Sequence, residues 1–212
     1  MLKKKKKKSP YDENGRWADE RRMVIGAIRR LFRQSPQFKE VHEGSRVEVP
    51  RYNKDGSRAK KDYVKRTCEV CGGLFSSGNI AIDHIKPIVP LHLTDNDLTN
   101  DEVIRNIICD KNNLQRICNP KKGKKNKPKF LEFCHQRKSW HENFIRNKWK
   151  ERFVEKGINT RAGKDAEYSL FKHLERDWEE EGKIVLEQRF KEEEEKEKRK
   201  KERLNRKITK KQ

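Results

Sequence analysis

The feature that most constrains this chain is a set of four cysteines, because so little else in the sequence can organise a core. Two of them form the run Cys68-Glu69-Val70-Cys71, followed by Gly72-Gly73; Cys118 and Cys134 come later. The Cys-x-x-Cys spacing lets one tight turn aim two sulfurs at a single ion, and tetrahedral zinc at a structural site takes four such ligands. The glycines free the backbone for that turn. A redox pair has the same spacing but normally opens a helix in a βαβ unit, and none is visible around it. We therefore expect a structural zinc site of Cys68, Cys71, Cys118 and Cys134. Cys109, at the end of an apolar helical segment, competes for the fourth place and reads better as a small buried side chain.

A staple of this kind is needed. Only 31% of the 212 residues are hydrophobic and 42% are charged, which predicts a compact centre flanked by solvated helices. The net charge of +21 points to a polyanion partner, since each phosphate neutralised by Lys or Arg releases condensed counterions. No apolar run approaches a membrane span, and Lys3 to Lys8 follow Met1-Leu2 without an apolar signal segment. The expectation is a protein with no membrane role, held in a reducing cytoplasm, where cysteines are more often metal ligands than disulfides.

Along the chain, residues 1–16 read as a disordered basic arm and 17–66 as a basic helical and hairpin lead-in. Trp17, Val24, Ile25, Ile28, Leu31 and Phe32 recur at helical spacing, with Arg21, Arg22, Arg29, Arg30 and Arg33 between them and Ser35-Pro36 as a stop. Val47 and Val49, the turn residues Asn53-Lys54-Asp55-Gly56 and the extended Tyr63–Thr67 predict a hairpin leading into the cysteine pair. Residues 67–156 form the expected zinc-stapled core. Within it Ile80–Ile85 is a strand ending near His84, and Val103, Ile104, Ile107 and Ile108 mark a short helix with Asn100 as its cap. The pattern is helical again from Pro128 to Lys156, as one helix or two, with Gly157 as a stop. Residues 157–212 are expected to form a charged helical extension. Leu170, Phe171, Leu174 and Trp178 mark a helix there, and Glu-to-Lys/Arg pairs four apart support a solvated one beyond Lys183.

A second constellation sits inside the cysteine frame. Hydrolysis of a phosphodiester needs a base for water, a cation for charge building on phosphate oxygens, and a group to orient the base. His84 ionises near neutral pH and suits the base. Asp83 is a hard oxygen ligand for a magnesium-type ion. Asn113 can orient the imidazole or complete the cation's shell, and His135 can close the cation site. Singly, each residue has an ordinary explanation; their order inside the cysteine frame is what carries the reading.

That order, Cys68-x-x-Cys71, Asp83-His84-Ile85, Asn113-Leu114-Gln115-x-x-Cys118 and Cys134-His135-x-x-Lys138, resembles the HNH endonucleases, most of all the zinc-containing members common in bacteriophages and mobile elements. The likeness spans Cys68 to Lys138. It implies an α+β fold with a ββα-metal core, two strands and a helix around one catalytic Mg or Mn ion, and a zinc knuckle nearby. It further implies His84 as general base, Asp83 and His135 as cation ligands and Asn113 as an orienting or ligating amide. The chain departs from the family in one place: the closing Cys-x-x-Cys-His is opened out, with fifteen residues between Cys118 and Cys134.

The reading that follows is a metal-dependent endonuclease acting on double-stranded DNA. Arg29, Arg30, Lys121, Lys122, Lys124, Lys125 and Lys138 are the expected phosphate-gripping residues. A homodimer and a phage packaging partner both stay open. So do a non-catalytic zinc-stabilised DNA-binding protein and a packaging accessory working through the C-terminal helices.

Overall fold

A computed structural model of the chain describes residues 20–119 and 132–209, with side chains described as far as residue 202. The expected arm at Lys3–Lys8, Trp17, and the basic run containing Lys121, Lys122, Lys124 and Lys125 lie outside these residues. The described fold mixes helices with two small antiparallel sheets. Among the described residues, no helix is long and apolar enough to cross a membrane.

The chain enters through α1 (Glu20–Phe32), whose apolar stripe seats Ile25, Ile28 and buried Phe32 on the centre while Arg29 and Arg30 stay exposed. Ser35-Pro36, expected only as a stop, also starts α2 (Pro36–Glu43). Ser35 Oγ accepts from Phe38 N at 3.3 Å, and proline sits in the first turn, where its missing N–H costs nothing. The hairpin follows as β1 (Arg46–Val49) and β2 (Tyr63–Thr67), in register Val47 opposite Lys65 and Val49 opposite Tyr63. A third strand, β3 (Leu74–Ser76), joins β2 after the cysteine turn.

The second sheet is the pair that matters for the site. Strand β4 (Ile80–His84) lies antiparallel to β5 (Leu114–Cys118), with Ile80 opposite Cys118 and His84 opposite Leu114. Between them runs α3 (Asn100–Ile107). Its cap is Thr99 rather than the expected Asn100: the Thr99 hydroxyl accepts from Glu102 N while Glu102 receives the Thr99 N–H. A reciprocal capping box satisfies two free donors, which Asn100 alone would not.

Three helices make up the rest of the described residues: α4 (Cys134–Glu155), α5 (Arg161–Phe171) and α6 (Leu174–Thr209). The first is continuous, so of the one helix or two that the sequence allows after Pro128, which itself lies outside the described residues, the described part is one. Gly157 ends it as expected, at φ 66°, with Gly157 N bonded to Val154 O and Ile158 N to Phe153 O. The expected single helix around Leu170–Trp178 is instead two, broken at Lys172-His173. Helix α6 packs along α4 as far as buried Leu186 and Phe190, the latter under the Arg137 guanidinium. From Lys191 to Glu202 it is exposed, with Glu195–Arg199 and Glu193–Lys196 pairs along it.

Among the described residues the apolar interior is three small clusters, where the composition predicts a single compact centre flanked by solvated helices. One gathers Phe32, Leu93, Leu98, Val103, Ile107 and Leu114; a second is built on the cysteines; the third joins Ile145, Trp149 and Phe153 of α4 to Tyr168 and Trp178. Polar ties connect them. Arg146 donates to the carbonyls of Val89, Pro90 and Leu93, pinning that loop to α4. Asp97 accepts from Thr94 and from Lys164 of α5 at 2.8 Å.

This last tie has a pH signature. Burial would raise the Asp97 carboxyl, but the Lys164 ammonium and the two Thr94 donors outweigh it and hold it at about 2 against an ordinary 3.8. A depressed carboxyl stabilises the fold fully above the unfolded value and loses that contribution as pH falls toward the folded one. Thermal melts of wild type and Asp97→Asn should therefore differ by roughly 1 kcal/mol at pH 6, after allowing for solvent screening. The gap should close between pH 4 and 2.

Candidate metal centre and the adjoining strand end

The first sheet delivers Cys68 directly from the end of β2. The chain then reverses in a knuckle: Cys68 N donates to Gly73 O and Gly72 N to Cys68 O, each at 2.9 Å, with Gly72 at φ 69°. That left-handed conformation is one glycine adopts without strain. Gly73 is also fixed by space, because a Cβ there would lie 2.9 Å from the Phe75 ring. Cys118 arrives as the last residue of β5 and Cys134 as the first of α4.

The four sulfurs of Cys68, Cys71, Cys118 and Cys134 all lie within 4.8 Å of one another. Four thiolates around one tetrahedral ion with bonds of about 2.3 Å stand roughly 3.8 Å apart, so the set fits a metal such as zinc with little adjustment. Cys68, Cys118 and Cys134 are buried and Cys71 faces solvent. Backbone donors already point at the sulfurs, Cys118 N at Cys68 Sγ (3.3 Å) and Cys134 N at Cys118 Sγ (3.2 Å). The second belongs to the free N–H groups of the α4 terminus, where negative charge is favoured.

The thiols are in electrostatic conflict without a cation. Burial raises Cys68, but the N–H groups of Cys71, Cys118 and Val70 outweigh it and bring it down to about 7. Burial, then the neighbouring sulfurs, push Cys134 strongly up, and burial raises Cys118 as well. A dication removes that conflict by letting all four deprotonate together. Cys109 stays out of the set. It packs on the α1–α3 cluster, and burial raises its thiol.

The opposite end of the β4–β5 pair holds the second constellation. Asp83 pairs across the ladder with Gln115 and His84 with Leu114. Asn113, just before β5, closes the end. Its carbonyl accepts from Ile85 N and its side-chain Oδ1 from Lys86 N, both at 2.8 Å. Asn113 thus fixes the backbone that follows His84. His84 turns toward the first cluster, where its Nε2 lies 3.1 Å from Ile107 O and its ring stacks on Phe32 at 6.1 Å. A carbonyl oxygen can only accept, so Nε2 carries the proton and Nδ1 keeps the lone pair of the neutral ring.

Asp83 points instead to α4. Lys138 Nζ lies 2.6 Å from its Oδ2, also donates to the His84 carbonyl, and reaches Glu142 at 3.4 Å. Lys138, expected among the phosphate-gripping residues, is ion-paired with Asp83 and Glu142. His135 is half-buried in the first turn of α4 beside Cys134. Among the described residues, no second group of three His, Cys, Asp or Glu side chains converges as the sulfurs do. Asp83 and His135 do not form a closed cage with a third such residue. Beside Lys138 opens a groove of about 430 Å³ with an apolar wall of Ile85, Pro87, Leu91 and Ile145 and a polar one that includes Lys86, Lys138, His141, Glu142 and Lys183.

The sequence marks Lys138 as the last residue of the Cys134-His135-x-x-Lys138 motif and as a phosphate contact, but not as the partner of Asp83. The Lys138/Glu142 spacing of four residues was the available signal, since it marks an ion-paired helix face. Arg146 and Lys164 carried no signal at all, because their partners are loop carbonyls and a distant aspartate.

No family model, curated protein or solved structure matches the chain. The tetrad itself yields a direct test. Elemental analysis of the purified chain should give one zinc per molecule, and cobalt substitution should give the absorption of a tetrahedral thiolate site. Cys109→Ser should keep the metal, whereas Cys118→Ser and Cys134→Ser should lose it together with cooperative unfolding. A metal-free wild type, or one that depends on Cys109, would be inconsistent with this assignment.

Proposed function

We propose that the chain is a metal-dependent endonuclease of the HNH type that hydrolyses phosphodiester bonds of double-stranded DNA. The observation that carries the reading is the placement of Asp83, His84 and Asn113 at one end of an antiparallel pair, beside a helix that starts at the sulfur tetrad. Two strands followed by a helix, with a cysteine knuckle at the far end, is the order a zinc-bearing ββα-metal core requires.

In this reading His84 is the base. The Ile107 carbonyl holds its Nε2 proton, so Nδ1 takes the proton from water as the water oxygen bonds to phosphorus. The phosphorus–oxygen bond to the leaving group breaks, and solvent returns a proton to that oxygen. Asn113 keeps the segment after His84 in place through the Lys86 and Ile85 amides. Asp83, with His135 or the Asn113 amide, would hold a Mg or Mn ion, whose charge stabilises the phosphate oxygens in the transition state. Such an ion keeps several waters and needs only one or two carboxylates, so a closed three-residue cage is not required. Arg29 and Arg30, exposed on α1, remain the described candidates for phosphate contact outside the core.

One observation favours a second reading, a zinc-stapled DNA-binding protein without catalysis: the Asp83 carboxylate is already neutralised by Lys138. Plasmid nicking separates the two. Supercoiled DNA should be relaxed or linearised in Mg²⁺ or Mn²⁺. Both His84→Ala and Asp83→Asn should slow cleavage by about 10²–10⁴-fold, the usual effect of losing a positioned base or an essential charge. Undiminished cleavage by His84→Ala would falsify the assignment of the base, and DNA binding without cleavage in any divalent ion would select the second reading.

A further inference from the structure

The β1–β2 hairpin does more than lead into the tetrad. Beyond the paired segment Arg46–Val49/Tyr63–Thr67 the ribbon continues outward. Tyr52 bridges Arg58, and Ala59 N bonds to Arg51 O at 2.8 Å. Asn53 N bonds to Ser57 O at 2.8 Å, and Gly56, at φ 83°, turns the tip. Asp55 accepts from both Ser57 N and Ser57 Oγ. The tip is thus held by its own hydrogen bonds while its residues from Arg51 to Arg58 are all exposed. At about 3.3 Å per residue, the stretch from Arg46 to the turn reaches on the order of 25–30 Å.

Its charge is one-sided. Residues 46–65 hold seven Lys and Arg against three carboxylates. Each carboxylate is engaged within the ribbon: Glu48 with Arg46, Asp62 with Arg58, and Asp55 with Ser57. Among the described residues, Lys54, Lys60 and Lys61 pair with no carboxylate. Two exposed aromatic rings lie among them, Tyr52 at 64% and Tyr63 at 50% exposure, the latter under the Arg51 guanidinium. The inner end is rigid. Arg66, buried in β2, is fixed to His42 and Glu43 of α2, and Cys68 of the tetrad follows two residues later.

We propose that this ribbon is a duplex-DNA arm that enters the major groove, with Lys54, Lys60 and Lys61 on the phosphates and Tyr52 against the groove wall. The proposal rests on the DNA-acting reading above and names the element that grips the substrate. A two-stranded ribbon matches the major groove of B-form DNA, about 12 Å wide, whereas the narrow major groove of A-form RNA excludes it.

The test is fluorescence anisotropy of the full chain on a labelled blunt DNA duplex, over a range of salt and without added divalent ion. The triple variant Lys54→Ala, Lys60→Ala, Lys61→Ala should lower the slope of log affinity against log salt by about 2–3, near 0.9 per lost phosphate contact. Its affinity should fall at least about tenfold at 0.1 M salt. A charge-matched triple on α6, Lys198→Ala, Lys200→Ala, Lys201→Ala, should change affinity less than about twofold, and Tyr52→Ala should weaken binding without altering the slope. Zinc content and thermal midpoint verify that each variant is folded. An unchanged slope in the arm variant, an equal loss in the α6 triple, or an equal loss on an A-form RNA duplex overturns the proposal. Arm-dependent binding by a chain that cuts nothing supports the arm and refutes the nuclease reading; cleavage with an arm variant that binds as wild type does the reverse.

Discussion

Everything in this fold hangs on four sulfurs meeting at one point. They come from the end of β2, the knuckle after it, the end of β5 and the start of α4, so one ion would tie both sheets to the long helix. Among the described residues, only the apolar cluster around Cys68, Ile117, Cys118 and Cys134 spans both sheets and the start of α4, and it is itself built on the ligands. A chain with so little hydrophobic surface to bury gains more from a metal bond set than from another handful of methyl groups.

The β4–β5 pair carries that constraint to the far end of the ladder. Cys118 stands opposite Ile80 at the metal end, and His84 stands opposite Leu114 at the other. Alongside it the first turn of α4 runs from Cys134 to Lys138, which meets Asp83. The strand end is therefore held from two sides, by its own ladder and by a helix fixed at its first residue. Arg116 adds a third tie, pairing with Glu69 of the knuckle at 2.5 Å and donating to Val41 O of α2. On the nuclease reading proposed above, His84 would need such support, since a positioned base displaced by an ångström loses much of its effect.

Much of this could be read from the residues, and the parts that could not share a cause. Cysteine spacing, the hairpin turn residues, the strand ending at His84 and the Gly157 stop are local signals, and each appears where the sequence puts it. The choice of Cys134 over Cys109 was legible too, because Cys109 follows the apolar segment Val103–Ile108 and packs with it on the first cluster. What escaped depends on contacts between distant segments or on competing caps. Helix α2 is short and polar, and only the Ser35 cap and the packing of Phe38 and Val41 justify it. Thr99 displaced Asn100 because only the threonine has a glutamate three residues on. The break at Lys172-His173 follows no proline or glycine, and α5 and α6 part there to pack Tyr168 and Trp178 against Trp149.

The Asp83–Lys138 pair has a consequence for ion traffic. The ammonium rides on a flexible four-carbon stem rooted in α4, so the carboxylate has a resident positive charge that can swing aside but cannot diffuse away. A potassium or sodium ion offers no more charge than this tethered incumbent and has no means of displacing it. On the nuclease reading proposed above, a doubly charged ion would displace it, especially one arriving already bound to a phosphate, to which the released lysine could then turn. The lysine would act as a valence filter, idle in company with Asp83 until a dication and its polyanion come together.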